Sequence, residues 1–260
     1  MNIFKKFFLD FDNFFSAFFE ITKNEFRDKY KGTYLGYFWS LLNPAIAIIT
    51  TTFIFSNLFN RDFFDFLLLI MSGMVPWLYF SNSVNHANAS FHKNKALITK
   101  IFIPKIFIPT SSVLVVSFDS LITFSFVLAL FGFMKGISLS FLWIPFIWFM
   151  LIMFTMSVCI IFSLITIFFK DFQFIVSVLL QALFFLTPVI YEKDFLGEKA
   201  QMFISLNPLT FFIESIRNII FNHNFLFNLE ASFFIIFTIV FFFIALFIFS
   251  KLEKIIIFKV

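Results

Sequence analysis

Residues 141–168 read FLWIPFIWFMLIMFTMSVCIIFSLITIF and carry no acidic, lysine or arginine side chain. A helix of about 20 apolar residues is long enough to cross the hydrocarbon core of a bilayer. Lipid offers no partners to peptide N–H and C=O groups, so a spanning segment has to satisfy them within its own helix. This stretch is therefore predicted to be a transmembrane helix.

The remainder of the chain has the same character. Of its 260 residues, 61% are hydrophobic, 52 are phenylalanine and only 13% are charged. A soluble domain is about half apolar and about a quarter charged, so this chain has too little polar surface for a soluble globule. Six spans are predicted, at residues 33–59, 64–84, 106–133, 141–168, 173–190 and 231–250. We expect an all-α integral membrane protein in which residues 1–260 form one transmembrane domain.

The first residues predict a different kind of helix. Over residues 4–20, eight phenylalanines fall within about 140° of a helix with 3.6 residues per turn, and polar residues take the other side. Such a helix is expected to lie in the membrane interface, the alternative being a helix packed on a partner. Acids within the segment argue against a cleavable signal sequence, so we expect the first span to direct insertion.

Charge placement predicts the orientation. With the N-terminus inside, fourteen lysines and arginines fall on the cytoplasmic side and five on the other. The positive-inside rule therefore favours both termini in the cytoplasm. The basic balance suits anionic lipid, and no patch for nucleic acid is visible.

The start of the first span, YKGTYLGYFWSLLNP at residues 30–44, carries three features. Gly32 and Gly36 are spaced to let another helix approach closely. Tyrosine and tryptophan suit the headgroup level. Pro44 frees a backbone carbonyl that a neighbour or water must satisfy. The alternative is an ordinary interfacial anchor with a tolerated kink.

Two connecting segments are too long to be simple turns. Residues 85–105, predicted to be cytoplasmic, are basic and amphipathic, and they form either a docking surface or a solvated loop; a metal at His86 and His92 lacks a third ligand. Residues 191–230 are predicted to lie outside. There Asn207 and Pro208 predict a helix start, and Glu214 can pair with Arg217. The pattern suggests helices that dip into the outer leaflet and return, the alternative being a surface helix lying flat.

Asp119 is the acid deepest within a predicted span. Intramembrane carboxylates tend to be functional, but Ser117, Ser120 and Thr123 could simply solvate this one. No phosphate-cradling glycine motif, catalytic triad or zinc motif occurs in the sequence. We therefore expect no catalytic residue, no metal site and no cofactor in this chain. The lone Cys159 excludes an intrachain disulfide.

Several stretches together resemble a known family. They are YKGTYLGYFWSLLNP at residues 30–44, SGMVPWLYFSNS at 72–83 continuing to LITKIFIPK at 97–105, KDFQFIVSVLLQALFFLTPVIYE at 170–192 and NPLTFFIESIRNII at 207–220. In order and spacing they resemble the membrane subunit of ABC-2-type exporters of lipid-linked polysaccharide, the O-antigen and teichoic-acid permeases. Lys170 stands where the family often has arginine, and either cation keeps the charge at that boundary.

The resemblance implies a homodimer docked on separate ATPase subunits, which bind the ATP and Mg²⁺. It implies a bacterial inner-membrane protein exporting a polysaccharide on an undecaprenyl-diphosphate carrier, with O-antigen favoured and teichoic acid or capsule as alternatives. A coupling helix is implied at residues 88–100, with Asn88, Phe91, His92, Lys93, Lys95, Leu97 and Lys100. Re-entrant gate helices are implied at about residues 195–221, with Pro188, Tyr191, Asn207, Pro208, Glu214 and Arg217 named for the gate.

Two further sets of residues fit this interpretation. A diphosphate needs cations at the inner surface, and Arg27, Lys29 and Lys31 precede the first span. A sugar chain needs aromatic platforms, for which the candidates are Tyr34, Tyr37, Trp39, Trp77 and Tyr79. Two other classes stay open: an enzyme acting on polyprenyl lipids, for which the acids are scattered, and a secondary transporter or channel, for which only Asp119 qualifies.

Overall fold

The computed structural model describes residues 3–100, 103–136, 138–224 and 228–259; for 3–14, 100, 135, 254 and 257–259 it describes the backbone only. These residues form ten α-helices joined by turns and short 3-10 helices. In chain order they are α1 Ile3–Tyr30, α2 Trp39–Leu58, α3 Phe63–Lys93, α4 Lys95–Lys100, α5 Phe107–Lys135, α6 Ile144–Phe168, α7 Phe172–Phe185, α8 Glu198–Ser205, α9 Pro208–Phe221 and α10 Leu229–Lys259.

Five helical segments in the described residues are long and apolar enough to cross a membrane: Gly36–Leu58, Phe63–Lys93, Phe107–Met134, Leu139–Phe168 and Leu229–Glu253. The span predicted at 173–190 differs, because α7 ends at Phe185 after 14 residues. At 1.5 Å per residue it is about 21 Å long, short of a bilayer core of about 30 Å. Pro188 contributes to the break, since proline disfavours helix at the residue before it.

Helix α3 is the centre of the bundle. Its spanning window is 72% buried, against 11% for the segment that contains α2 and 22% for the one that contains α10. It packs against α2, α5 and α6. The predicted boundary at residue 84 is displaced, because the polar residues that follow continue the same helix to Lys93. Side chains of Asp62 and Asn207 accept backbone N–H bonds and so fix the starts of α3 and α9.

Helix α1 is longer than predicted and lies along α5. The rings of Phe18 and Phe107 are 5.0 Å apart. The Glu25 carboxylate accepts hydrogen bonds from Ser112 of α5 at 3.0 Å and from Asn94, the residue that follows α3, at 3.1 Å. The second half of α1 therefore packs on its own chain, while the side chains of residues 3–14, which carry much of the predicted apolar face, lie outside the described residues.

Gly32 and Gly36 do not form a helix-packing pair. They stand at φ +78° and +49° in the turn between α1 and α2, and a Cβ on either would meet nothing within 4 Å. Glycine adopts this left-handed backbone without the strain that a Cβ brings. The prediction of a close helix approach there is wrong, and the two glycines shape the turn instead.

Candidate functional site

A cavity of about 130 Å³ with apolar and polar walls lies where α1 ends and α2 begins, against α3 and α5. It brings the motif at residues 30–44 together with Asp119, which are far apart in the sequence. Its lining consists of Lys29, Tyr30, Trp39, Ser40, Asn43, Pro44, Val75, Leu78, Tyr79, Asn82, Val116, Asp119, Ser120 and Thr123. The lining combines hydroxyls, amides, one charge of each sign and aromatic rings.

An ion pair between Lys29 and Asp119 forms part of the wall of this cavity. The Lys29 ammonium lies 2.5 Å from Oδ2 of Asp119, and the exposed fractions of the two side chains are 28% and 10%. Oδ1 of the same carboxylate is buried with no hydrogen-bond partner among the described residues. Leaving a buried acceptor unpaired costs about 1–3 kcal/mol. Burial, and then a hydrogen bond toward the Asp119 carboxylate and the negative charge of that group, raise the pKa of the Tyr30 phenol above its ordinary value.

The carbonyl that Pro44 frees has a partner. Proline has no N–H, so the carbonyl of Ser40 loses its bond within α2. The Thr123 hydroxyl of α5 donates to that carbonyl at 3.1 Å. The expectation that a neighbour satisfies this group is therefore confirmed. Hydrogen bonds between membrane helices contribute about 0.6 kcal/mol on average and at most about 1.7.

The three cations predicted to receive a diphosphate are not equivalent. Lys29 is paired with Asp119, so its charge is neutralised locally. Arg27 and Lys31 are exposed, and within the described residues neither has an ion-pair partner. The cationic surface at the end of α1 thus consists of Arg27 and Lys31.

The candidate aromatic platforms divide into two groups. Tyr34, Tyr37 and Trp39 are exposed. Trp77 and Tyr79, the other two candidates to line a channel, are buried in α3. The ring of Trp77 packs at 5.5 Å against that of Phe184, and the Tyr79 hydroxyl is hydrogen-bonded to Ser117 at 3.1 Å. Tyr79 and Trp39 both line the cavity.

The residues predicted for the gate converge on Arg217, which is 5% exposed. Its guanidinium donates to Ser72 Oγ of α3 and to Glu214 Oε1, at 3.2 and 3.0 Å. It also donates to the carbonyls of Val189 and Tyr191, at 3.0 and 2.9 Å. The predicted Glu214–Arg217 pair is thus present. Burying a guanidinium requires this many partners, and together they fix α9 and the turn after α7 to α3.

The same turn is held from its other end. Pro188 is buried, and the Tyr191 hydroxyl donates to the carbonyl of Phe185 at 2.8 Å. Asn207 caps α9 and also donates to Thr187 at 2.8 Å. Beside this cluster, Arg61 forms an ion pair of 2.7 Å with Glu192 on a second polar cavity of about 450 Å³.

The predicted coupling helix at 88–100 is not one helix. Asn88 and Phe91 belong to α3 and are 2% and 1% exposed, Asn88 accepting a hydrogen bond from Thr166 of α6. Asn94 ends α3, and Lys95 begins the six-residue α4. His92 and Leu97 are half-buried, whereas Lys93 and Lys95 are exposed; the side chain of Lys100 lies outside the described residues. Asn88 and Phe91 are therefore corrected from surface to core.

Three further residues were not assigned a role from the sequence. Asn43 and Asn82 line the cavity, and Glu25 fixes α1 beside it. Glu25 and Lys29 are four apart, so they share a face of α1 and both reach α5, to Ser112 and Asp119 respectively. The four-residue spacing of these two charges could have indicated in the sequence that one face of α1 packs on another helix. No comparable signal marks Asn43 or Asn82, whose place in the cavity depends on how α2 and α3 pack.

An all-helical bundle with several membrane-length helices, a charged cavity and a buried arginine cluster defines a multi-pass membrane protein. Residues 16–221 match the family model described as ABC-2 type transporter, and the chain belongs to that membrane family.

Three relatives indicate where the chain falls within the family. It is 34% identical over 205 residues to the O-antigen export system permease protein RfbA of Klebsiella pneumoniae, covering 78% of this chain and 79% of the relative. It is 26% identical to the protein of the same name from Myxococcus xanthus, over 78% and 79% of the two chains. It is 22% identical to the polysialic acid transport protein KpsM of Escherichia coli, over 88% and 91%.

Proposed function

We propose that this chain is the permease subunit of an ATP-driven exporter that moves a lipid-linked polysaccharide across the cytoplasmic membrane. The observation that carries the proposal is the 34% identity to an O-antigen export permease over most of both chains. O-antigen is the preferred cargo for that reason. Capsular polysaccharide is the second candidate, favoured by the alignment with a polysialic acid transport protein over 88% of this chain.

The proposed topology has six crossings and cytoplasmic termini. Helix α7 and the turn that follows it make the fifth crossing, and α8 and α9 are the re-entrant gate helices. Burial of Arg217, Thr187 and Pro188 supports this arrangement, because irregular backbone at membrane depth survives only inside protein or beside water. The fourteen-to-five distribution of basic residues supports the orientation.

The energy source is proposed to be a separate ATP-binding subunit, with its own Mg²⁺, on each half of a homodimer. The segments that contain α2 and α10 have only 11% and 22% of their spanning windows buried. Their apolar surface is therefore available to lipid and to a second copy. Within the predicted coupling segment 88–100, the proposed docking surface for the ATPase is the exposed end of α3 and the start of α4, at Lys93 and Lys95. Asn94, which lies between α3 and α4, donates a hydrogen bond to Glu25 and so connects this docking surface to α1.

The carrier diphosphate is proposed to meet Arg27 and Lys31. Both are exposed at the end of α1, whereas Lys29 is already neutralised by Asp119. Exposed cations near a membrane surface attract anionic headgroups by about 1 kcal/mol each.

Deletion of this gene tests the function. A strain without the gene is expected to accumulate undecaprenyl-linked polysaccharide inside the cell and to lose it from the surface, and plasmid-borne wild-type protein restores the surface glycan. Chemical analysis of the accumulated glycan identifies it as O-antigen or capsule. Unchanged surface polysaccharide in the deletion strain would refute the proposal.

A further inference from the structure

The unpaired oxygen of Asp119 is the observation that leads beyond the proposed function. Asp119 is 8% exposed and lines the cavity between α1, α2, α3 and α5. One of its oxygens is engaged by Lys29, and the Tyr30 phenol lies within reach of the carboxylate, yet the other oxygen is buried with no hydrogen bond of regular geometry among the described residues. Buried polar groups in proteins are nearly always hydrogen-bonded, so an exception in a cavity wall points to a missing donor.

The charge of the cavity favours a neutral ligand. Lys29 and Asp119 cancel at 2.5 Å, and among the described residues no other charged side chain lines the cavity. A phosphate or diphosphate would have to compete with Asp119 for the one cation present and would approach a carboxylate. A neutral donor-rich molecule has no such conflict, because a carboxylate is an acceptor with capacity for several hydrogen bonds.

The remaining lining residues match a sugar. Asn43 and Asn82 are exposed at the cavity, and each carboxamide offers both donor and acceptor. Ser120 and Thr123 add hydroxyls, and Trp39 supplies an aromatic face. Apolar and aromatic walls with a few convergent polar groups are typical of small-molecule sites. The cavity measures about 130 Å³ and is open on one side, so it takes the edge of one sugar ring while the rest of the ring stays outside.

We infer that this cavity is a saccharide subsite that binds a single neutral sugar unit, with the free oxygen of Asp119 accepting from a sugar hydroxyl. The inference rests on the proposed function and deepens it: Arg27 and Lys31 receive the charged carrier, while a sugar unit enters the neutral cavity beside them. Lys29 is the positioning residue that holds the carboxylate in place.

Binding of methyl glycosides tests the subsite. The full chain in phospholipid nanodiscs is titrated with the methyl glycosides of glucose, galactose, mannose and N-acetylglucosamine by saturation-transfer NMR, with empty nanodiscs as background. At least one glycoside is expected to bind. Its Kd is expected to rise at least about fivefold in D119N, the change that corresponds to one lost hydrogen bond.

A second variant guards against misfolding of D119N. The double variant Asn43→Ala, Asn82→Ala removes two exposed side chains and leaves the ion pair intact, and it is expected to raise the Kd by a similar factor. Asp28→Asn is the matched control, since Asp28 is an exposed acid beside Lys29 that does not line the cavity. This control is expected to bind like wild type.

Three outcomes overturn the subsite. They are no glycoside signal above empty nanodiscs, equal affinity in wild type and the Asn43/Asn82 variant, and displacement of the glycoside by sn-glycerol 3-phosphate, which would make the cavity an anion site. These outcomes leave the proposed function standing if deletion of the gene still abolishes surface polysaccharide. Loss of the proposed function would instead appear as unchanged surface polysaccharide in the deletion strain.

Discussion

The backbone carbonyl of Val189 rests directly on Gly73, so closely that a Cβ on Gly73 would overlap it. The turn after α7 therefore reaches the backbone of α3 itself. A Cβ there would also stand 3.0 Å from the Arg217 guanidinium. The contact joins the proposed gate region to α3, the most buried of the five membrane-length segments in the described residues, and a methyl group does not fit between them.

Gly73→Ala should loosen this junction. Backbone cannot move aside as a flexible side chain does, so overpacking is expected to destabilise the protein by about 1–3 kcal/mol. The unfolding temperature in detergent should fall by about 2 °C or more. Gly197→Ala is the control, because a Cβ at Gly197 meets nothing within 4 Å and its φ is −64°. Equal unfolding temperatures for the two variants would contradict the described packing.

Thr123→Val tests the bond that compensates for Pro44. Valine keeps the shape of the side chain but leaves the Ser40 carbonyl without its donor. A loss of about 0.6–1.7 kcal/mol is expected, measured as a lower unfolding temperature. Thr110→Val is matched to it, since Thr110 lies on the same helix and, in the part of the chain that the structure describes, its hydroxyl donates to the carbonyl of Ile106, the N-cap residue of that helix. The bond has no importance for stability if the two variants melt alike.

Removing the charges of Arg27 and Lys31 should reduce export. The double variant Arg27→Gln, Lys31→Gln is expected to insert and dimerise normally, because both side chains are exposed, while weaker attraction to the carrier diphosphate lowers surface polysaccharide several-fold. Lys23→Gln is the control, a lysine of α1 whose ion-pair partner within the described residues is the exposed Glu20. Wild-type surface polysaccharide in the double variant would rule out the assignment.

Cysteine labelling checks the orientation. In a Cys159→Ala background, single cysteines replace Lys95 and Met202, both of which are exposed. An impermeant thiol reagent added to intact spheroplasts should label position 202 and leave position 95 unlabelled until the membrane is opened. The reverse pattern would place the termini on the outer side.

Local chemistry explains which features the sequence predicts well. Three features could be predicted because residues within one helical turn determine them. They are the N-cap at Asn207, the Glu214–Arg217 pair and the need for a donor to the carbonyl that Pro44 frees. Long uncharged stretches likewise identify the spanning helices. These features depend on near neighbours and on composition.

Features that depend on packing between helices were not predictable in this way. Trp77 and Tyr79 look like interfacial aromatics in the sequence, but α3 is the central helix and buries them. Phe91 lies in a basic segment, yet its ring stacks on that of Phe249, 158 residues later in the chain, at 6.5 Å. The partner of Asp119 is Lys29, 90 residues away. Gly32 and Gly36 follow the spacing of a packing motif, and only the backbone geometry reveals the turn.

The central claim is that this chain is a conduit driven by an ATPase bound to it. The most direct test uses inverted membrane vesicles that contain undecaprenyl-linked polysaccharide, the chain and the separate ATP-binding subunit proposed as its partner. Glycan should become protected in the vesicle lumen only when both proteins and ATP are present. Equal protection without ATP, or with the chain alone, would contradict the account.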